Sequence, residues 1–359
     1  MRHYTDPANR LIEKIGETMI EGYRAFTKAD ISHKATILPI GKNYELIHPA
    51  IKTFIESAVS ISNTFHFSIG DRAFQVNIVE FENVHKKTVQ SYIRYIYTWL
   101  FIASAFSTEK HCSQTLCIFI YMTPFKKALP DRLGSPIDEL HVNTGYTFSC
   151  KLANEIYIYR REEWFKVLIH ETFHSFHMDF SSMEKNGDST ILGLFRGLHV
   201  DLRLYESYTE MWAEIIHTMF CGFVPGKKVG FIVDTFKRNI IKELGHSLST
   251  AHSVLNHYGL SYRNIVSGGN MRTYKEGTCA FAYYIVKSCW IYNVDRFIDW
   301  CAVHNGGSFQ FRHLASNISS FCQLYRDLYD NSVFIRSVED AKLVNSLRMT
   351  RLEVERLSG

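Results

Sequence analysis

At 359 residues the chain holds roughly two domains' worth of sequence, taking about 150 residues per domain. Its 46% hydrophobic and 21% charged content excludes a disordered, collagenous or coiled-coil protein. Forty basic against 36 acidic side chains leave a net charge of +4, too small and too evenly mixed to point to a nucleic-acid or membrane-surface partner.

Along the chain, Leu11, Ile12, Ile15, Met19, Ile20 and Tyr23 recur at helical spacing behind Asp6 as cap and Pro7 as first helical residue, so residues 7–28 read as an amphipathic helix. Thr64–Ile69 and Arg72–Phe81 are aromatic and β-branched and meet at Gly70-Asp71, the pattern of a hairpin. A helix follows over His85–Ser107. Its apolar run at residues 95–106 is shorter than the roughly 20 residues a membrane span needs. Leu116–Met122, His141–Phe148 and Glu155–Tyr159 read as strands of a small, mostly antiparallel sheet. Helices are then expected over residues 161–177, 204–220 and 234–257, in the apolar segment Thr278–Trp290, and in a tail from Ser337 onward. Residues 222–230 and 267–270 mark the internal breaks.

The eight cysteines (112, 117, 150, 221, 279, 289, 301 and 322) are scattered, form no CxxC pair and follow a polar N-terminus without a secretory leader. This argues against a disulfide framework and for a reducing, cytoplasmic location rather than secretion.

Within residues 164–180, WFKVLIHETFHSFHMDF, lies an HExxH motif: His170, Glu171 and His174. Positions i and i+4 of a helix lie about 40° apart, so the two imidazoles project toward one point, as a zinc site requires. Glu171 stands about 100° away, placed to reach a water rather than the metal, which suits a general base. A catalytic zinc also needs a third protein ligand. The helix at 204–220 supplies candidates in Glu206, Glu210 and Glu214, one stripe with a four-residue repeat. Read alone, that stripe is a solvated helix face. His177, three residues past the motif, reads as a rim or core histidine.

HExxH followed by Thr209-Glu210-Met211-Trp212-Ala213-Glu214 resembles the gluzincin branch of zinc metallopeptidases, which carries a glutamate ligand on a second helix. The resemblance implies Zn²⁺ held by His170, His174 and Glu210, with Glu206 the competing ligand, and Glu214 bonded to His170 behind the metal. Thr209 and Met211 depart from the family's usual residues. The run from Val142 to His174 more loosely resembles uncharacterised zincin-like proteins of large DNA viruses, which adds a virion as a location. The implied fold is α+β, a mostly helical zincin-like fold with a small mixed or antiparallel sheet packed on the metal-binding helix. It divides into an N-terminal helical extension (1–59), a catalytic unit (60–265) and a C-terminal helical region with the tail (266–359).

The implied function is hydrolysis of a peptide bond in a peptide or protein substrate, with Glu171 as general base. His257 and Tyr284 are taken as catalytic donors to the oxyanion from a set that also holds His252, Tyr258, Tyr274 and Tyr283. An edge strand, either 143–147 or 155–159, would pair with the substrate backbone. Two other readings remain open at this stage: a catalytically silent zincin scaffold serving as a structural or interaction protein, and a zinc hydrolase of a non-peptide amide or ester.

Overall fold

The computed structural model describes residues 3–82, 86–269 and 271–354. His85, Asn270 and residues 355–359, which the sequence reading placed in a helix, a break and the tail, lie outside them.

Helix α1 (Asp6–Phe26) is capped by Thr5, whose hydroxyl accepts from the Ala8 amide. Asp6 is thus a first-turn acid and not the cap. The helix buries Leu11, Ile12, Ile15 and Met19. Strand β1 (Ser32–Thr36), which periodicity did not signal, comes next, followed by a short 3₁₀ turn and α2 (Pro49–Ser57). The hairpin forms as expected, with β2 (Ile61–Ile69) and β3 (Arg72–Glu80) joined at Gly70-Asp71. Gly70 takes a left-handed φ of 57° there. Helix α3 (Lys86–Phe106) crosses to β4 (Thr115–Met122), then come α4 (Glu139–Val142), β5 (Gly145–Thr147) and β6 (Ala153–Ile158).

These strands form one mixed sheet in the order β1-β2-β3-β4-β6-β5. The two central pairings, β3 with β4 and β4 with β6, are parallel, and the outer three are antiparallel. Strand β5 is therefore one edge, held among the described residues by β6 alone through Gly145 opposite Ile158 and Thr147 opposite Ile156. One face of the sheet, with Phe74, Val76, Ile118, Ile120, Ile156 and Ile158, joins the main apolar core. On the other face Phe119, Tyr121 and Tyr157 pack with Tyr44, Ile47 and Ile51. That cover is tied down polar-to-polar: Glu155 accepts from the amides of Lys42 and Asn43, and Tyr121 donates to the Pro39 carbonyl. The whole is α+β, as expected.

The helical half comprises α5 (Trp164–Ser175), α6 (Asp188–Leu192), α7 (Leu204–Cys221), α8 (Val229–His257) and α9 (Tyr262–Val266). After a π-helical turn at Phe281–Val286 come α10 (Lys287–Tyr292), α11 (Val294–His304), α12 (Ala315–Arg326) and α13 (Ser332–Glu339). Helix α5 lies between the sheet and α7, and Trp99 of α3 donates to Thr172 on its rear. The expected tail helix is replaced by α13 and an irregular segment. The amides of Met349 and Thr350 go to Glu163 and those of Arg351 and Leu352 to Glu243, so this stretch meets its hydrogen-bonding needs in the tertiary structure.

The scattered cysteines include one pairing that their spacing did not signal. Cys112 and Cys150 form a disulfide, while Cys117, Cys221, Cys279, Cys289, Cys301 and Cys322 are free. Among the described residues no helix is long and apolar enough to cross a membrane.

Candidate metal centre

Helix α5 follows β6 after only five residues, so the sheet fixes its entry and the HExxH turn sits at the sheet's edge. His170 and His174, one turn apart, turn their Nε2 atoms toward each other at 3.1 Å. Glu206, from the first turn of α7, places Oε2 3.1 Å from His170 Nε2 and 3.4 Å from His174 Nε2. The three donor atoms thus converge on one point, and all three residues are largely shielded from solvent.

Both Nδ1 atoms are taken up behind this point. His170 Nδ1 bonds Glu210 Oε2 at 3.0 Å, and His174 Nδ1 bonds Asp179. A carboxylate on Nδ1 fixes the proton there, which leaves each Nε2 with a lone pair aimed inward. Two such lone pairs and a carboxylate oxygen crowded together repel unless a cation or a proton lies among them. In the protein without an ion, burial works against charging the imidazoles. The surrounding carboxylates outweigh it, raising the pKa of His170 and, more strongly, of His174. Burial would likewise raise Glu206 and Glu210. The imidazoles hold Glu206 far below the usual carboxylate range instead, and Lys166 with His170 does the same for Glu210.

This geometry moves the acidic stripe by one turn relative to the expectation. Glu206 joins the histidines. Glu210 is the residue bonded to the far side of His170, and it is gripped in turn by Lys166, both fully buried. Glu214 lies a further turn away against Lys287 at 3.1 Å, where burial holds its carboxyl well above the ordinary range, so it does not reach His170. Nor is the stripe a solvated face, since from Glu206 to Phe220 every residue of α7 is buried.

Glu171 is buried beside the cluster and lines the cleft above it. Burial raises its pKa, so its carboxylate is a stronger base than an exposed one. The expected donors fall elsewhere. His257 bonds the Ser135 carbonyl at 2.9 Å at the end of α8, and Tyr284 donates to the Leu347 carbonyl at 2.6 Å; neither lines the cleft. Tyr283 does. Its hydroxyl lies 3.2 Å from Glu206 Oε2, and its ring packs edge-on to His170. The π-helical turn sends these consecutive tyrosines to different neighbours, and Glu276 caps it by accepting from the Phe281 amide. Of the remaining candidates, His252 bonds the Ala341 carbonyl, Tyr258 the Ile137–Lys275 region and Tyr274 Glu276. His177 bonds Ser182, outside the cluster.

The cleft has a volume of about 430 Å³, with β5 on one wall and Glu206, Thr278 and Tyr283 on the other. Strand β5 comes this near because residue 145 is glycine. A Cβ there would meet the Tyr157 carbonyl at 2.6 Å and Val167 at 2.9 Å, with Glu171 just behind at 3.4 Å. A cavity of about 50 Å³ shares Asn143, Gly145, His170, Glu171 and Tyr283 with the cleft and is also lined by Lys127 and Lys166, which pair with Glu163 and Glu210.

Sequence reasoning missed Asp179, Lys166 and Lys127. Asp179 carried a local signal, an acid five residues past the second histidine. The lysines carried none, because an exposed lysine and a buried, paired one look alike in sequence. No protein-family model, curated protein or solved structure matches the chain.

Proposed function

We propose that the chain is a zinc-dependent peptidase. The observation that carries this reading is the meeting of His170 Nε2, His174 Nε2 and Glu206 Oε2 at one point, with both histidines oriented from behind and Glu171 beside them. Two neutral nitrogens and one carboxylate on a pair of helices match what a catalytic zinc takes from a protein, and all three residues line the cleft. Bound there, the ion supplies Lewis acidity and lowers the pKa of a water toward neutrality.

The chain's own residues do the rest. Glu210 and Asp179 keep the imidazoles in the tautomer that presents Nε2, and Lys166 fixes Glu210. Glu171 accepts the proton of the attacking water and passes it to the leaving amine. The Tyr283 hydroxyl is the donor nearest the site and stabilises the oxyanion that develops on the carbonyl. An extended substrate lies along β5, whose outer edge pairs with no other strand among the described residues. The likeness of the HExxH segment to gluzincins supports the same reading, with the ligand glutamate one turn earlier than that likeness implied.

The test is a pair of measurements on wild type and Glu171→Gln. About one equivalent of zinc per chain is expected in both, with peptide hydrolysis falling about 10²–10⁴-fold in the variant. Wild-type protein that binds zinc and cleaves small amides but no peptide would reassign the substrate. Identical behaviour of the two proteins in every hydrolysis assay would remove the enzymatic reading.

A further inference from the structure

A second cluster of ligand atoms, none of them in the cleft lining, lies beside the C-terminal end of α5. The loop before β4 brings His111 and Cys112 against Cys150 from the loop before β6. His111 Nε2 sits 3.4 Å from Cys150 Sγ and 3.7 Å from Cys112 Sγ. With Zn–S near 2.3 Å and Zn–N near 2.0–2.1 Å, the nitrogen-to-sulfur edge of a tetrahedral zinc site is roughly 3.5 Å. The imidazole therefore already stands where a shared ion needs it. The three donor atoms all fall within 4.8 Å of one another.

The surroundings are built rather than incidental. Buried Arg72 reaches under the turn, donating to the carbonyls of Cys112 and Glu109 and to Ser107, and stacks on Phe176. Ser113 and Cys150 both hold left-handed backbone, φ 53° and 36°, an uncommon state for non-glycine residues that the packing must enforce. The two loops are joined by the Ser113 amide donating to the Lys151 carbonyl at 2.7 Å. They also touch the end of the HExxH helix. The Cys150 amide donates to the His174 carbonyl, and Ser113 Oγ donates to that of Ser175 at 2.9 Å.

We infer that His111, Cys112 and Cys150 form a redox-gated site for a thiophilic divalent cation such as zinc, closed in the disulfide form described here and open when the pair is reduced. A dithiol reductant attacks the half-buried Cys150 sulfur and releases Cys112 as thiolate. The reductant's second thiol then displaces Cys150, so one dithiol becomes one disulfide and the protein gains two thiols. Binding M²⁺ releases the two thiol protons, and His111 supplies Nε2 as the third ligand. None of the six free cysteines joins a comparable group of ligands among the described residues. The site is independent of the peptidase reading, because its ligands and its readout differ from those of the cleft.

Cobalt(II) titration of the full chain tests it, since thiolate ligation gives a near-ultraviolet charge-transfer band that histidine and carboxylate ligation do not. Reduced wild type is expected to show the band, and oxidised wild type is not. The band is expected to survive His170→Ala, to vanish in the double variant Cys112→Ser, Cys150→Ser, and to need about tenfold or more cobalt in His111→Ala, an exposed position where folding is not at stake. Absence of the band in reduced wild type, or its persistence in the double cysteine variant, overturns the proposal.

Discussion

Three glutamates spaced four apart on α7 have three different neighbours: Glu206 the two Nε2 atoms, Glu210 the Nδ1 of His170, and Glu214 the ammonium of Lys287. Substitutions separate them. Glu206→Ala is expected to abolish tight zinc binding, whereas Glu210→Gln, which keeps the shape but loses the charge on His170, should weaken it about 10–100-fold. Zinc competition against a chromogenic chelator reads both, and equal losses at the two positions would contradict the assignment. Tyr283→Phe is expected to lower kcat by about 10²-fold with KM little changed, the signature of a contact made in the transition state. Tyr284→Phe should leave kcat unaltered. At this scale the meeting of His170 and His174 was legible, because the i, i+4 spacing alone defines it. Which glutamate meets their Nε2 atoms was not, because Glu206-xxx-Glu210 and Glu210-xxx-Glu214 have the same spacing. Only the approach angle of α7 decides which glutamate faces the histidines.

At the scale of elements, the close approach of β5 to α5 gives the cleft its wall, and Gly145 permits it. Gly145→Ala places a methyl group against a carbonyl that cannot yield, so a loss of about 1–3 kcal/mol in urea unfolding is expected, together with reduced hydrolysis. Retention of both would show that the strand is free to move. The long helices were readable from the spacing of their apolar residues, as α1 and α3 show. Strand β1 was not, being five mostly exposed residues paired only with β2, and nor was the π-helical turn that presents Tyr283. Elements whose conformation is set by a partner leave little periodic trace of their own.

On the scale of the whole molecule, the protein carries an unusual load of buried charge behind the cleft. Lys127 pairs with Glu163 at 2.8 Å, and Glu163 also receives two amides of the C-terminal segment. Burial alone would raise the pKa of Glu163, but Lys127 and Lys166 lower it from 4.5 to about 2 in the folded protein. A depressed carboxyl contributes stability that is present above the ordinary value and lost as pH falls from about 4.5 toward 2. The stability gap between wild type and Glu163→Gln is therefore expected to shrink over that interval, by on the order of 3 kcal/mol. Thermal melts at stepped pH check this, and a constant gap would contradict it. Ending the chain after Val344 would strand Glu163 and Glu243 without their amide donors and uncover Leu347 and Met349. A fall in Tm of roughly 5 °C or more is expected. Composition hinted at none of this. The charged residues numbered as in any globular chain, and the placing of their partners up to 187 positions away is a property of the fold.

The convergence of His170, His174 and Glu206 is the premise on which the functional reading stands, and crystals of the protein grown with zinc test it directly. An anomalous difference map recorded at the zinc edge is expected to show a peak about 2.0–2.2 Å from His170 Nε2, His174 Nε2 and a carboxylate oxygen of Glu206, with Glu171 beside it and Glu210 beyond reach. A map with no peak among these three atoms, or a peak held by Glu210 in place of Glu206, would contradict the account.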